Sequence, residues 1–177
     1  MENQIAELYL QNIKKLLREY KKMGEGAMGQ ISDEHVNISE NENSNSIAII
    51  VKHLCGNMLS RWTNFLNSDG EKEWHDRDSE FEGKIENKTQ LFKKWNEGWE
   101  CLFKAVDPLT VEDLTKIIYI RKEPHNVIEA INKQLTHYSY HIGQIVCLAK
   151  LVVSENWKSL SVPKNKSKEF NRMKGMK

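Results

Sequence analysis

Four long stretches of the chain repeat apolar residues at the spacing of an α-helix, and this pattern constrains the fold more than any other feature. Three of them cover residues 3–22, 84–106 and 124–153. The remaining one begins after N-cap candidates at residues 44–46 and runs to Leu66. Only three prolines and nine glycines occur among 177 residues, which favours long helices over many short strands. The sequence therefore predicts an all-α protein, a four-helix bundle with its core between the apolar faces.

The segments between these helices are long and polar. Residues 24–44 are rich in Gly, Asn and Ser, and Gly24 and Gly26 are expected to end the first helix. Residues 67–83 are strongly charged, and residues 115–121 are β-branched and aromatic enough to form a short extended piece. Connections of this length do not suit a minimal up-and-down bundle. At least one of them is therefore expected to cross over the bundle.

One domain accounts for most of the chain. Residues 1–160 carry the apolar segments and form the predicted bundle domain, which is long enough for one sizeable core and short for two. Trp74 and Phe81 are expected to pack onto this domain from their charged loop. Residues 161–177 are rich in Lys and Arg, with few apolar side chains. A frayed, solvated basic tail is expected there rather than a nucleic-acid-binding arm.

The charge and composition of the chain argue against nucleic-acid binding and membrane insertion. A formal net charge of +1 gives no global field to attract nucleic acid or a membrane surface, and the longest apolar run, residues 47–51, is far too short to span a bilayer. The N-terminus is charged from residue 2 and has no secretory apolar block. The cysteines are odd in number, form no CxxC pair and are expected to be small core residues: Cys55, Cys101 and Cys147. A cytoplasmic protein in a reducing compartment is expected.

The segment His137-Tyr-Ser-Tyr-His141-Ile-Gly-Gln144 places three polar side chains along one face of the fourth helix. Residues four apart project from the same side of a helix, which is the spacing that offers two imidazoles to one metal ion. The residues around them are apolar, so this face is expected to point inward, where polar groups need partners. The spacing leaves two interpretations open: a pair of metal ligands, or two histidines satisfied by hydrogen bonds.

His53, inside the second helix, is the best candidate for a third ligand. In a bundle, an inward histidine on the second helix can meet an inward pair on the fourth, and catalytic zinc sites commonly combine three protein ligands with one open position. Asn57 lies one turn after His53. Both Asn57 and Gln144 could orient a ligand or form structural hydrogen bonds. The remaining histidines are expected at exposed or rim positions: His35, His75 and His125.

Together these residues resemble the DinB/YfiT-like superfamily of metal-binding bundles. The resemblance rests on the histidine in Val51-Lys52-His53-Leu54 and on the later His-x-x-x-His-x-Gly-Gln motif, and it extends over residues 3–155. The block Gly56-Asn57-Met58-Leu59-Ser60-Arg61-Trp62 resembles a poorly characterised bacterial branch of that superfamily. The resemblance implies up-down-down-up connectivity and a divalent metal ion, often zinc or nickel. Carried over residue by residue, the ligands are His53, His137 and His141.

The resemblance also implies a range of activities. Known reactions in that superfamily include thiol-dependent S-transfer, with bacillithiol or mycothiol as the nucleophile, and isomerisation of a maleyl group. We expect a metal-dependent enzyme acting on a small electrophile. Thiol S-transfer stands slightly ahead of hydrolysis, because the sequence offers no clear general base. The alternative is a non-catalytic bundle in which the ion joins the second helix to the fourth. The expected partners are a small-molecule substrate, including a low-molecular-weight thiol, and a second copy of the chain in a homodimer.

Overall fold

A computed structural model describes residues 2–176 and is mostly helical. Its helices are α1 (Glu2–Met28), α2 (Ile47–Trp62), α3 (Lys88–Val106), α4 (Val127–Val153) and the short α5 (Ser167–Met173). An antiparallel hairpin, β1 (Ile117–Ile120) and β2 (Glu123–Asn126), lies between α3 and α4. The predicted helical character is confirmed, and the structure adds this small two-stranded sheet to it.

The core lies between the four long helices. α2 packs against α3 and α4, and α1 packs against α4 and α3. All four helices contribute large side chains that are fully buried: Leu17, Leu54, Trp95, Trp99 and Tyr138. Burying a large apolar side chain stabilises the fold by roughly 1.5–3 kcal/mol, so this shared core fixes the helices relative to each other. The packing brings α2 beside α4, the two helices that carry the candidate histidines.

The first helix is longer than its sequence predicts. α1 continues past Gly24 and Gly26 to Met28. A Cβ atom on Gly24 would lie 2.5 Å from ring atoms of Trp95, and one on Gly26 would lie 2.9 Å from a methyl carbon of Leu160. The prediction that these glycines end the helix was wrong, because they allow other side chains to approach it closely.

Side chains cap the other three long helices. The Ser46 hydroxyl accepts a hydrogen bond from the Ile49 amide at 3.3 Å, which confirms the predicted cap of α2. Asn87 and Asn126 cap α3 and α4 in the same way, each accepting from the amide three residues later. These caps satisfy amide groups that a helix leaves unpaired at its start. They place the starts of α3 and α4 a few residues later than the periodicity predicts.

The hairpin occupies the extended stretch predicted at residues 115–121 and the expected first turn of α4. Pro124 lies in β2, opposite Tyr119, rather than at the start of a helix. A proline is tolerated there because an edge strand does not need every backbone donor. The two residues between the strands, Arg121 and Lys122, both have positive φ, as in the tight turns that favour two-residue hairpins.

The charged loop and the tail match their predictions only in part. Trp74 is 59% exposed and does not pack onto the body, whereas Phe81 is half-buried with its ring 5.5 Å from that of His53. The tail forms α5, a helix without a buried side chain, where a frayed end was expected. Within the described residues, no helix combines the length and apolar character that crossing a membrane requires.

Candidate metal centre

Three of the predicted site residues come together between α2 and α4. His53, His137 and His141 each place a ring nitrogen within 4.8 Å of the other two. The Nε2 atoms of His53 and His137 are 3.1 Å apart, and the ring centroids of His137 and His141 are 4.7 Å apart. In the part of the chain that the structure describes, this is the one cluster of three or more potential ligands close enough to hold a metal ion. The predicted proximity of these histidines is therefore confirmed.

A carboxylate that the sequence did not reveal holds the His53 ring. Glu80 lies in a 3-10 helical turn at Asp78–Phe81 and is only 7% exposed. Its Oε2 atom accepts a hydrogen bond from Nδ1 of His53 at 2.8 Å. This bond keeps a proton on Nδ1 and leaves Nε2 with a free lone pair. A carboxylate behind a histidine in this way is the usual support of a metal ligand.

His75 in turn holds Glu80. Its Nε2 donates to Oε1 of Glu80 at 2.7 Å, and its Nδ1 donates to Oε1 of Glu71 at 2.5 Å. Burial alone would lower the pKa of His75, but the hydrogen bonds to the two carboxylates outweigh burial and its pKa is raised. The His75 side chain is 7% exposed, so the prediction of a solvent-exposed loop histidine was wrong. The charged loop turns inward because its carboxylates and its histidine bond to each other.

Gly56 makes room for the Glu80 carboxylate. It lies on α2, three residues after His53, and a Cβ atom there would lie 1.9 Å from Oε1 of Glu80 and 3.2 Å from its Cγ. A glycine inside a helix is about 1 kcal/mol less favourable than alanine, so its presence needs a packing reason. The close approach of Glu80 supplies that reason.

Replacing Gly56 with alanine is expected to destabilise the protein by about 1–3 kcal/mol, because the new methyl group displaces a buried carboxylate from its histidine partners. The matched control is Gly143→Ala in α4, where an added Cβ meets no atom within 4 Å. That substitution is expected to stabilise the protein by about 1 kcal/mol. Urea unfolding followed by circular dichroism measures both changes. Equal effects at the two positions would contradict the close approach of Glu80.

Gln144 supports the second histidine of the α4 pair. Its Oε1 accepts a hydrogen bond from Nδ1 of His141 at 2.8 Å, and its Nε2 donates to the Tyr140 hydroxyl at 3.1 Å. The proton of His141 is therefore held on Nδ1, and its Nε2 is left free. Asn57 instead accepts from the Tyr138 hydroxyl at 3.3 Å. Gln144 thus contacts one of the three clustered histidines directly. Asn57 instead bonds to Tyr138, which is outside the cluster.

The donor atoms fit a divalent transition metal. Burial, with smaller contributions from His141 and His53, lowers the pKa of His137 to about 3. Burial also lowers the pKa of His141. Both rings are neutral near pH 7, as ligation requires. Nδ1 of His137 is buried and has no hydrogen-bond partner among residues 2–176. A cluster of imidazoles without a carboxylate among its donors suits zinc or nickel better than calcium or magnesium.

A cavity of about 400 Å³ lies beside the histidine cluster, with His137 in its wall. It is large enough for a small organic molecule. Its other lining residues come from α2, α4 and the hairpin: Asn57, Arg61, Ile120, Arg121, Glu123, Lys133 and Gln134. The sequence did not reveal this wall, because its residues are spread over two helices and a hairpin and no regular spacing links them.

The cysteines and the remaining histidines lie outside the cluster. Burial, followed by the nearby Glu97 carboxylate, raises the pKa of the Cys55 thiol to about 12. Cys147 is exposed rather than in the core. His125 is buried in β2 rather than at an open rim. His35 is only partly exposed, and its Nδ1 lies 2.8 Å from the Ser32 hydroxyl.

Comparison with known proteins gives one family. A family model described as "Protein of unknown function (DUF1572)" matches residues 4–166. The match covers nearly all of α1, the whole of α2, α3 and α4, the hairpin and the three clustered histidines. No curated protein matches the chain.

Proposed function

Because this chain belongs to the DUF1572 family, whose function is unknown, we propose its function from the histidine cluster: a divalent-metal-dependent enzyme of the DinB/YfiT-like type. His53, His137 and His141 would hold the ion, with zinc or nickel favoured by the nitrogen donors. The observation that carries the proposal is the approach of three imidazole nitrogens to within 4.8 Å of one another. The up-down-down-up connectivity of that superfamily is part of the same proposal.

The residues around the ion would prepare the site for a nucleophile. A divalent ion held by three imidazoles keeps its full charge and lowers the pKa of a thiol or water at an open position. Glu80 and Gln144 hold the protons of His53 and His141 on Nδ1 and so keep the Nε2 atoms available. The cavity beside His137 gives a small molecule access to the same place.

Thiol S-transfer to a small electrophile is favoured over hydrolysis. Among the described residues, Glu80 is the carboxylate bonded to the histidine cluster, and its two oxygens are already committed to His53 and His75. Hydrolysis benefits from a free general base, whereas transfer needs only a thiolate. In the transfer, sulfur bonds to the electrophilic carbon, the leaving group departs with its electron pair, and the thiol proton passes to solvent. Among the described residues, no cysteine lies in the histidine cluster or lines the cavity beside His137, so the thiol would come from outside, such as bacillithiol.

Metal analysis of the full chain, purified from zinc- or nickel-supplemented cells, tests this proposal. We expect about one ion per chain, and a chelator should lower the melting temperature, because an ion present at 1,000 times its Kd stabilises by about 4 kcal/mol. Turnover of a generic electrophile is then measured with bacillithiol, glutathione and cysteine, before and after chelation. A metal content near zero would refute the metal centre.

A metal-loaded protein with no metal-dependent rate for any of these thiols would instead support the non-catalytic alternative. In that case the ion acts as a cross-link, since its ligands come from α2 and α4. The cytoplasmic location and the homodimer stay predictions.

A further inference from the structure

We propose that the cavity beside His137 binds the carboxylate group of a small anionic substrate. This inference rests on the proposed function, because it places that substrate next to the metal centre. Three cationic side chains, Arg61, Arg121 and Lys133, line the cavity, and Glu123 is the acidic residue in its wall. The observations that favour an anion are these three cations in one cavity wall and the buried guanidinium of Arg61 among them.

Arg61 is a buried guanidinium with an unused donor. It is only 9% exposed, and its Nη1 donates to the Gly70 carbonyl at 2.9 Å. Its Nη2 lies 3.9 Å from Oε2 of Glu71, which is a loose ion pair. At that distance Nη2 is not hydrogen-bonded to Glu71, and it stays available to an oxygen of a ligand in the cavity that Arg61 lines.

Gln134 of α4 is another buried residue of the same cavity wall. It is 6% exposed, and its amide oxygen has no partner in the described residues. An amide oxygen accepts hydrogen bonds, so the carboxylate would be held by the cations and not by this atom. His137 lies in the wall of the same cavity, so a carboxylate bound there would lie beside the histidine cluster.

The balance of charge in the cavity wall favours an anion. Glu71 pairs with Arg61 and, at 3.0 Å, with Nε of Arg121. Lys133 is exposed and has no ion pair among the described residues. With Glu71 and Glu123 set against the three cations, the wall keeps an unmatched positive charge, which a carboxylate would neutralise.

The carboxylate could belong to the thiol or to the electrophile, and matched probes separate the two sources. Calorimetry on the zinc-loaded full chain compares 3-mercaptopropionate with 2-mercaptoethanol, which lacks the carboxylate. Alkylation of 2-mercaptoethanol by chloroacetate is compared with alkylation by chloroacetamide. A charge-assisted hydrogen bond in a buried site corresponds to roughly a 10-fold preference. We therefore expect a 10-fold preference for the carboxylate probe in one of the two pairs.

Substitution of Lys133 tests whether the preference arises in this cavity. Lys133→Gln is expected to reduce the preference several-fold, and Arg121→Gln is expected to act in the same direction. Lys150→Gln is the matched control, because Lys150 is an exposed lysine on the same helix outside the cavity. The proposal would be overturned if the carboxylate probe and its neutral counterpart gave the same result in both pairs. It would also be overturned if Lys133→Gln left the preference unchanged.

The two proposals fail in distinguishable ways. Zinc content is measured on the same samples, and propionate binding is measured with and without zinc. Suppose that the protein contains no zinc but still binds propionate, and that Lys133→Gln weakens this binding. That result would refute the metal centre and keep the carboxylate site. Full zinc content without any carboxylate preference would refute the carboxylate site alone.

Discussion

The His137→Ala variant is expected to purify with almost no bound zinc. Removing one of three ligands from a site whose ligands each contribute roughly 3 kcal/mol weakens binding about 100-fold or more. The metal-free form of this variant should keep most of its stability, because it gives up one hydrogen bond, between Nε2 of His137 and Nε2 of His53 at 3.1 Å, and Nδ1 of His137 has no partner within the described residues. His53→Ala should also lose zinc. It leaves an oxygen of the buried Glu80 without its partner, and losing one partner of a buried pair costs about 3 kcal/mol.

Elemental analysis measures the zinc content of these variants, and urea unfolding in a chelator measures their metal-free stability. His35→Ala is the control, because His35 lies in a 3-10 turn outside the cluster. It should bind as much zinc as the unmodified chain. A full zinc content in His137→Ala would exclude His137 as a ligand, and equal metal-free stabilities of His137→Ala and His53→Ala would contradict the Glu80 hydrogen bond.

Glu80→Gln is expected to weaken metal binding by about 10- to 100-fold without changing any ligand. The glutamine side chain has nearly the same shape, but it offers one acceptor oxygen where Glu80 offers two, to His53 and to His75. If its NH₂ group faces His53, the His53 proton must move from Nδ1 to Nε2, the atom that would bind the ion. If the NH₂ group faces His75 instead, a buried N–H of the glutamine points at the N–H of the His75 ring, and both donors are left without an acceptor.

Competition with a zinc-binding dye measures the affinity of Glu80→Gln. The control is Glu82→Gln, an exposed carboxylate two residues further along the same loop. It removes the same charge from the same segment, so it accounts for any long-range electrostatic effect. An equal loss of affinity in both variants would mean that charge, rather than the hydrogen bond to His53, accounts for the effect.

The three histidines could be predicted from the sequence because their helices impose regular geometry. Spacing of four residues puts His137 and His141 on one face of α4, and apolar neighbours turn that face inward. His53 sits on α2 in a similarly apolar setting, and α2 packs against α4. The Ser46 cap and the strand at Ile117–Ile120 were predictable for the same reason, since local chemistry decides both.

The side chains that hydrogen-bond to His53 and to its partner could not be predicted from periodicity. Glu80 and His75 lie in a charged, irregular loop, where no spacing indicates which side chains turn inward. The signal that could have pointed to them is Gly56, a helical glycine without a turn to explain it. Pro124 failed as a helix-start signal because a proline suits an edge strand as well as a first helical turn.

The separation of the ligands along the chain has a consequence for how the protein is made. His53 and His137 lie 84 residues apart, so the pair exists only once α4 has left the ribosome and docked on α2. Before that moment His53 has no partner from α4, and a single imidazole is a weak ligand. An ion bound at the proposed centre would close a very long loop and retain the last long helix in place. Metal content in a preparation would then count the chains that have completed folding.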